Sequence, residues 1–154
     1  MTHVNVGTVD VYVIAESQSD WRVLVLQRAT GTRCPGAWET VHGHIDGEET
    51  PQQAAEREVT EETGLAIRRL YVISVQPFFL QKTQAVEMAI VFAAFVHAGD
   101  TVRLGNEHSR YEWLDVVAAA ERFIWPRERL ALGEIVQLLS GGDAGAAEDV
   151  LRVR

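Results

Sequence analysis

The stretch from Gly43 to Leu65, GHIDGEETPQQAAEREVTEETGL, constrains the fold more than any other part of the chain, because it carries its own helix start and stop. Thr50 stands where an N-cap is needed, Pro51 takes the first helical position, and Gln53, three residues after the cap, completes a capping box. Gly64 supplies a C-terminal stop. A helix of about thirteen residues is expected between them, with Ala55 and Val59 turned to the core. On that helix Glu58, Glu61 and Glu62 fall at i, i+3 and i+4, so the three carboxylates share one face.

The same stretch holds seven carboxylates (Asp46, Glu48, Glu49, Glu56, Glu58, Glu61, Glu62) against one cation, Arg57, a net of six negatives in a chain whose total is −8. Like charges at helical spacing cost roughly 0.2 to 0.5 kcal/mol per pair, and acids in a last turn oppose the helix dipole by about 0.3 to 1 kcal/mol each. A solvated acidic face tolerates that total, so charge alone leaves two readings open. The other reading is a site for Mg²⁺ or Mn²⁺, hard cations that prefer oxygen ligands and can bridge phosphate oxygens. Arg57 lies about 100° around the helix from Glu58 and can reach back to Glu49, fixing the preceding loop to the helix.

Length and composition narrow the partners. At 154 residues, 47% of them hydrophobic, the chain has material for one domain with its own core, expected over residues 1–141. The segment 142–154 has small residues and weak periodicity and is expected to be a tail, partly disordered. An excess of 22 acidic over 14 basic side chains disfavours nucleic acid as a partner. The lone Cys34 cannot form an internal disulfide, and MTHVNVGTVD lacks the blocks of a signal peptide, so a cytoplasmic location is expected. The longest apolar run, MAIVFAAFV, has nine residues, too few for the roughly 20 of a membrane span.

Along the chain, VGTVDVYVIAE and WRVLVLQR read as strands joined by a hairpin through SQSD. ATGTRCPG punctuates like a loop, and AWETV reads as a short strand. AIRRLYVISVQPFF and AVEMAIVFAAFVHA are expected to be long strands turning at LQKTQ, followed by a strand at RYEWLD. DVVAAAERF and PRERLALGEIVQLLS read as helices, the second with Leu132, Ile135, Val136 and Leu139 at core spacing. The pattern implies a mixed sheet between helices in an α/β fold.

The order Gly43, Glu49, Arg57-Glu58-Val59, Glu61-Glu62, Gly64-Leu65 resembles the complete signature box of the Nudix hydrolase family. That resemblance implies an α/β/α sandwich with a mixed β-sheet and the box as a loop, helix and loop. It implies that Glu58, Glu61 and Glu62 bind the metal, with the Gly43 carbonyl as a further ligand and Arg57 and Glu49 in support. Mg²⁺, with Mn²⁺ as the other option, is the cofactor it implies, and a high pH optimum accompanies it. A carboxylate from a later loop often joins such a site. Glu107 in GNEHSRYEWL is the candidate, as metal ligand, water-activating base or surface charge, whereas His108 reads as a plain loop histidine.

For the substrate, Arg28 and Arg33 are candidates to contact phosphates, or else solvated cations. Trp38, Phe78, Phe79 and Trp125 are candidates to stack on a base or pterin ring, or else core residues. WETVHGHIDGEE has His42 where Gly is commonest in the family and Asp46 where Glu is. That form resembles the subgroup containing dihydroneopterin triphosphate pyrophosphatases, which implies a small nucleotide or pterin triphosphate as substrate and pyrophosphate plus a monophosphate as products. Dinucleoside polyphosphates and nucleotide sugars are alternatives within the hydrolases. LQRATGTRCPGAWETVHGH also resembles isopentenyl diphosphate isomerases, although His42 stands where their turn cysteine would be. A ligand-sensing module without catalysis is the third reading, against which all the box carboxylates are present. An apolar strand edge could pair two copies into a homodimer.

Overall fold

The computed structural model describes residues 1–18 and 20–154. Strand β1 (His3–Ser17) turns back into β2 (Asp20–Arg28) with Ser17 opposite Asp20. This is the expected hairpin, and Ser19 in its turn lies outside the described residues. The short strand expected at AWETV is split into β3 (Trp38–Glu39) and β4 (Val41–His44), which pair with different neighbours, β2 and β1. Strands β5 (Arg69–Leu80) and β6 (Ala85–His97) form the long antiparallel pair, and β7 (His108–Leu114) lies along β2.

Parallel pairing of β1 with β6 joins two antiparallel halves into a seven-stranded mixed sheet, ordered β3-β2-β1-β6-β5, with β4 on β1 and β7 on β2. Because side chains alternate along a strand, β1 feeds two cores. Val9, Val11 and Val13 pack with Ala54, Ala55 and Val59 of helix α1 (Pro51–Thr63). Tyr12 and Ile14 pack on the opposite face with Ala119 of α2 (Val116–Arg122) and with Leu132, Ile135 and Leu139 of α3 (Pro126–Leu139). The outcome is the expected sandwich of helices around a mixed sheet. Val136, expected in the core, is half-buried at the rim of α3. Among the described residues no helix is long and apolar enough to cross a membrane.

The tail is tied to the domain by backbone pairing, which carries no periodic side-chain signal. After a 3-10 turn at Gly145–Ala147 and the short helix α4 (Glu148–Leu151), Arg152 bridges to Tyr71 of β5. The Val153 N–H donates to the Leu70 carbonyl at 2.9 Å, and the Tyr71 hydroxyl donates to Glu148 at 2.8 Å. Val153 then packs against the α1 side of the core.

Helix α1 begins as its sequence dictates: the Thr50 hydroxyl accepts from the Gln53 N–H at 3.2 Å, and the Gln53 side chain accepts from the Thr50 N–H at 2.9 Å. Gly64 closes it with φ 69°, in the left-handed region where glycine is least strained. Thr50→Ala is expected to lower unfolding stability by about 1 kcal/mol and Thr50→Gly by only a few tenths, read by urea denaturation with circular dichroism. Equal losses for the two would show that the cap does not set the start of α1.

Candidate active site

The antiparallel pairing of Val9 with Gly43 lays β4 beside β1, where α1 crosses it. Contact there is so close that a Cβ at position 43 would sit 2.1 Å from the Glu58 carboxyl carbon. Glycine is therefore required by a close approach at this position. Glu58 and Glu62, four residues apart, turn inward and are buried at 9% and 4% exposure, while Glu61 stays on the rim. The shared face expected from the sequence thus has an inner pair and an outer member.

Arg57 clamps this corner. Its Nε and Nη2 donate to the two oxygens of Glu49 at 2.7 and 3.0 Å, and Nη2 also donates to the His44 carbonyl at 2.8 Å. Nη1 reaches Glu58 at 2.8 Å and Glu61 at 3.2 Å. These bonds hold the Glu49 carboxyl at a pKa of about 2. Glu49 in turn accepts from the Asp46 N–H at 2.9 Å, closing the loop onto the helix.

Glu107 arrives from the other side. The Arg103 N–H donates to the Thr63 carbonyl at 2.7 Å, and Gly105 runs so close to α1 that a Cβ there would lie 2.9 Å from the Glu61 carbonyl. The Glu107 carbonyl accepts from the Ala29 N–H at 2.9 Å, and its carboxylate lies 3.6 Å from Arg28. Glu107, Glu62 and His108 bring one ligand atom each to within 4.8 Å of one another. His108 is thus no plain loop residue. It is the first residue of β7, 4% exposed, with Nδ1 4.0 Å from Glu62 and Nε2 3.8 Å from Glu39, and neither ring nitrogen has a hydrogen-bond partner. Pairing of His108 with Arg28 across β2 and β7 places it there, a contact over eighty residues of chain that local pattern cannot reveal.

Burial raises the pKa of Glu58, against the pull of Arg57. Burial, then the charges of Glu58 and Glu107, push that of Glu62 up to about 10. Glu39 is the opposite case. It is equally buried, but His108, two N–H groups of Arg33 at 2.9 and 3.1 Å, and the Trp125 indole N–H at 3.1 Å overcome desolvation and hold it at about 2.

Arg28, Arg33, Gly43, Glu58 and Glu107 all line one cleft of about 190 Å³. Arg28 is buried rather than solvated, its Nε donating to the Arg33 carbonyl at 3.0 Å. Trp38 does not reach this cleft. The guanidinium groups of Arg122 and Arg110 lie 4.8 and 5.6 Å from its ring, and its other contacts are with the core under α2 and α3. Phe78, Phe79 and Trp125 instead line an adjoining cavity of about 460 Å³, which shares Arg33, His42 and His44 with the cleft. Between the two, His42 Nδ1 meets the buried Asp10 at 2.6 Å, and Arg127 donates to the same carboxylate at 3.0 Å. In the sequence, only the departure at His42 hints at this trio.

Residues 4–132 match the family model of the NUDIX domain. Among curated proteins, the chain is 30% identical over 133 residues to a dihydroneopterin triphosphate diphosphatase of Escherichia coli, a match covering 73% of this chain and 81% of that protein. It is 34% identical over 117 residues to an octanoyltransferase of Myxococcus xanthus, where the match covers 75% of this chain but only 32% of that protein. Among solved structures, the dihydroneopterin triphosphate pyrophosphohydrolase of E. coli superposes with a TM-score of 0.69 at 25% identity, over 89% of this chain and 99% of that one.

The low pKa of Glu39 has a stability consequence. A carboxyl held at about 2 in the folded state and near 4.5 otherwise stabilises the fold fully above pH 4.5, and its contribution, about 3 kcal/mol, fades as pH falls towards 2. The stability gap between the wild type and Glu39→Gln is therefore expected to narrow between pH 5 and 2.5 in denaturant titrations. A gap independent of pH would mean that Glu39 is not held ionised by Arg33 and its neighbours.

Proposed function

The chain belongs to the NUDIX domain family, and from that premise we propose that it hydrolyses a phosphoanhydride bond of a nucleoside-triphosphate-like substrate, an NTP, a dNTP or dihydroneopterin triphosphate, releasing pyrophosphate and a monophosphate. One observation carries the reading: Glu58, Glu62 and Glu107 converge with their mutual repulsion uncompensated at Glu62, although the same protein neutralises Glu39 with an arginine. A carboxylate cluster of structural purpose would be paired as Glu39 is.

Mg²⁺ or Mn²⁺ fits these donors. The set is rich in carboxylate oxygen, the missing Cβ at residue 43 lets the Glu58 carboxyl lie against the β4 backbone, and His108 offers buried ring nitrogens without partners. In this reading Glu58, Glu62, Glu107 and the Gly43 carbonyl hold the cation, with Glu61 at the rim. When bound, such a cation draws charge from the phosphoryl oxygens and makes a nearby water easier to deprotonate. Arg57 and Glu49 position Glu58 rather than touch substrate, since every polar end of the arginine is already bonded within the corner. Arg28 and Arg33 line the cleft as the cations nearest a phosphate chain, although Glu39 takes both Nη groups of Arg33 and Arg28 is buried beside Glu39 and Glu107. Glu107, its side chain 59% exposed, can reach a water at the cleft mouth as ligand or general base.

Glu62→Gln is expected to lower turnover at least about 100-fold and to weaken Mg²⁺ and Mn²⁺ uptake in calorimetry, with the far-ultraviolet spectrum retained. Unchanged turnover together with unchanged uptake would contradict the metal role. Gly43→Ala is expected to act the same way by displacing Glu58. The reaction itself is tested by a panel of nucleoside triphosphates and dihydroneopterin triphosphate with Mg²⁺ in ¹⁸O water. Turnover of none of them would overturn the proposal, and the labelled product identifies the phosphorus attacked.

A further inference from the structure

The cavity beside the acidic cleft has a polar edge that the proposed hydrolysis does not use. Glu87 of β6 pairs across the sheet with Phe78 of β5 and, on its other side, with Asn5 of β1. Cross-strand partners project to the same face, so the carboxylate and the aromatic ring stand side by side on the cavity wall. Asn5 Nδ2 donates to Glu87 Oε1 at 3.1 Å, which fixes the carboxylate, and among the described residues Oε2 receives no donor. Among the described residues no arginine, lysine or histidine forms an ion pair with Glu87.

Two further features make this wall a recognition surface. Thr8 lines the same cavity at 3% exposure, and its hydroxyl has no hydrogen-bond partner. Phe78 is held in place by Arg127, whose guanidinium lies 4.3 Å from the ring centre and is itself tied to Asp10. A ring fixed in advance loses little freedom on stacking. The volume, about 460 Å³, lies within the range of small-molecule sites.

The chemistry of the wall selects its ligand. An ionised carboxylate accepts and cannot donate, whereas a hydroxyl can do either. Adenine and cytosine place a single amino group beside a ring nitrogen lone pair, which a carboxylate repels. A 2-amino-4-oxo pyrimidine ring places an amino group beside a ring N–H, two donors for one carboxylate, and carries a carbonyl that a hydroxyl can meet. We propose that Glu87, with Thr8 and Phe78, sets substrate specificity in this protein and selects heterocycles with a 2-amino-4-oxo pyrimidine ring, the ring shared by guanine and pterins. The inference rests on the proposed hydrolysis for the meaning of the site, but base recognition can be measured apart from it.

Nucleoside monophosphates have no phosphoanhydride bond, so their binding reports the wall alone. Calorimetry with GMP, IMP, AMP and dihydroneopterin monophosphate in the presence of Mg²⁺ is expected to give affinities for GMP or the pterin at least tenfold tighter than for IMP and AMP. The GMP and pterin arms distinguish which of the two rings fits better. Glu87→Gln is expected to bring the GMP to IMP ratio within about threefold, and Glu87→Asp to fall between. With the triphosphates, the loss should appear in KM for GTP more than in kcat. Equal affinities of the wild-type protein for GMP, IMP and AMP, or a preference for AMP, would overturn the inference whether or not the variants fold. A ranked binding series without triphosphate turnover would uphold it and overturn the proposed hydrolysis, whereas turnover without ranking would do the reverse.

Discussion

The Glu58 side chain of α1 can lie against β4 only because residue 43 has no Cβ. A methyl group there would meet the Glu58 carboxyl carbon at 2.1 Å and push that side chain aside, while Ala54, Ala55 and Val59 hold the helix in the core it shares with β1. The same close approach buries Glu58 and Glu62, and their burial creates the electrostatic problem at the heart of the site. Packing and chemistry thus follow from one contact. The loop that brings Glu107 repeats the device at Gly105, where the backbone of one segment passes within touching distance of the other.

Four buried carboxylates show how differently the protein treats one functional group. Asp10 and Glu39 each receive an arginine, and their pKa values are lowered despite complete or nearly complete burial. Glu58 keeps one bond to Arg57, and Glu62 accepts only the His42 N–H, at 3.2 Å, with two further carboxylates as neighbours. Burial favours the neutral form of such a group, which is why the Glu62 pKa stands near 10 and that of Glu128, which does not line the cleft, is raised as well. Glu39 and Glu62 both lie beside His108, yet Arg33 and Trp125 help hold the first ionised whereas burial holds the second neutral.

What could be read from the sequence was what is local. The cap at Thr50, the stop at Gly64, the three glutamates on one helix and the reach of Arg57 to Glu49 depend on residues within one or two turns, and all are found. Strand periodicity sufficed for β1, β2, β5 and β6 because each alternates between two cores. His108 was misread because its burial depends on β7 lying along β2. Trp38 looked available because the arginines that cover it come from β7 and α2, more than seventy residues on. The tail docks through main-chain bonds to Leu70, for which residue type carries almost no signal.

That division between local and distant also separates reaction from recognition. The ligands proposed for the cation lie on α1, on β4 and next to β7, all anchored by backbone contacts, so their spacing tolerates little change. The adjoining cavity draws one to three residues each from β1, β4, β5, β6, the loop after β2 and the start of α3. His42 joins the two regions: its backbone N–H contacts Glu62, and its ring is bound to Asp10, which also holds Arg127 against Phe78. Under the proposed hydrolysis, the bonded trio at the junction would keep a heterocycle in the cavity in register with a phosphate chain in the cleft, so that affinity gained on the cavity wall would help hold a phosphoanhydride bond over the acidic residues.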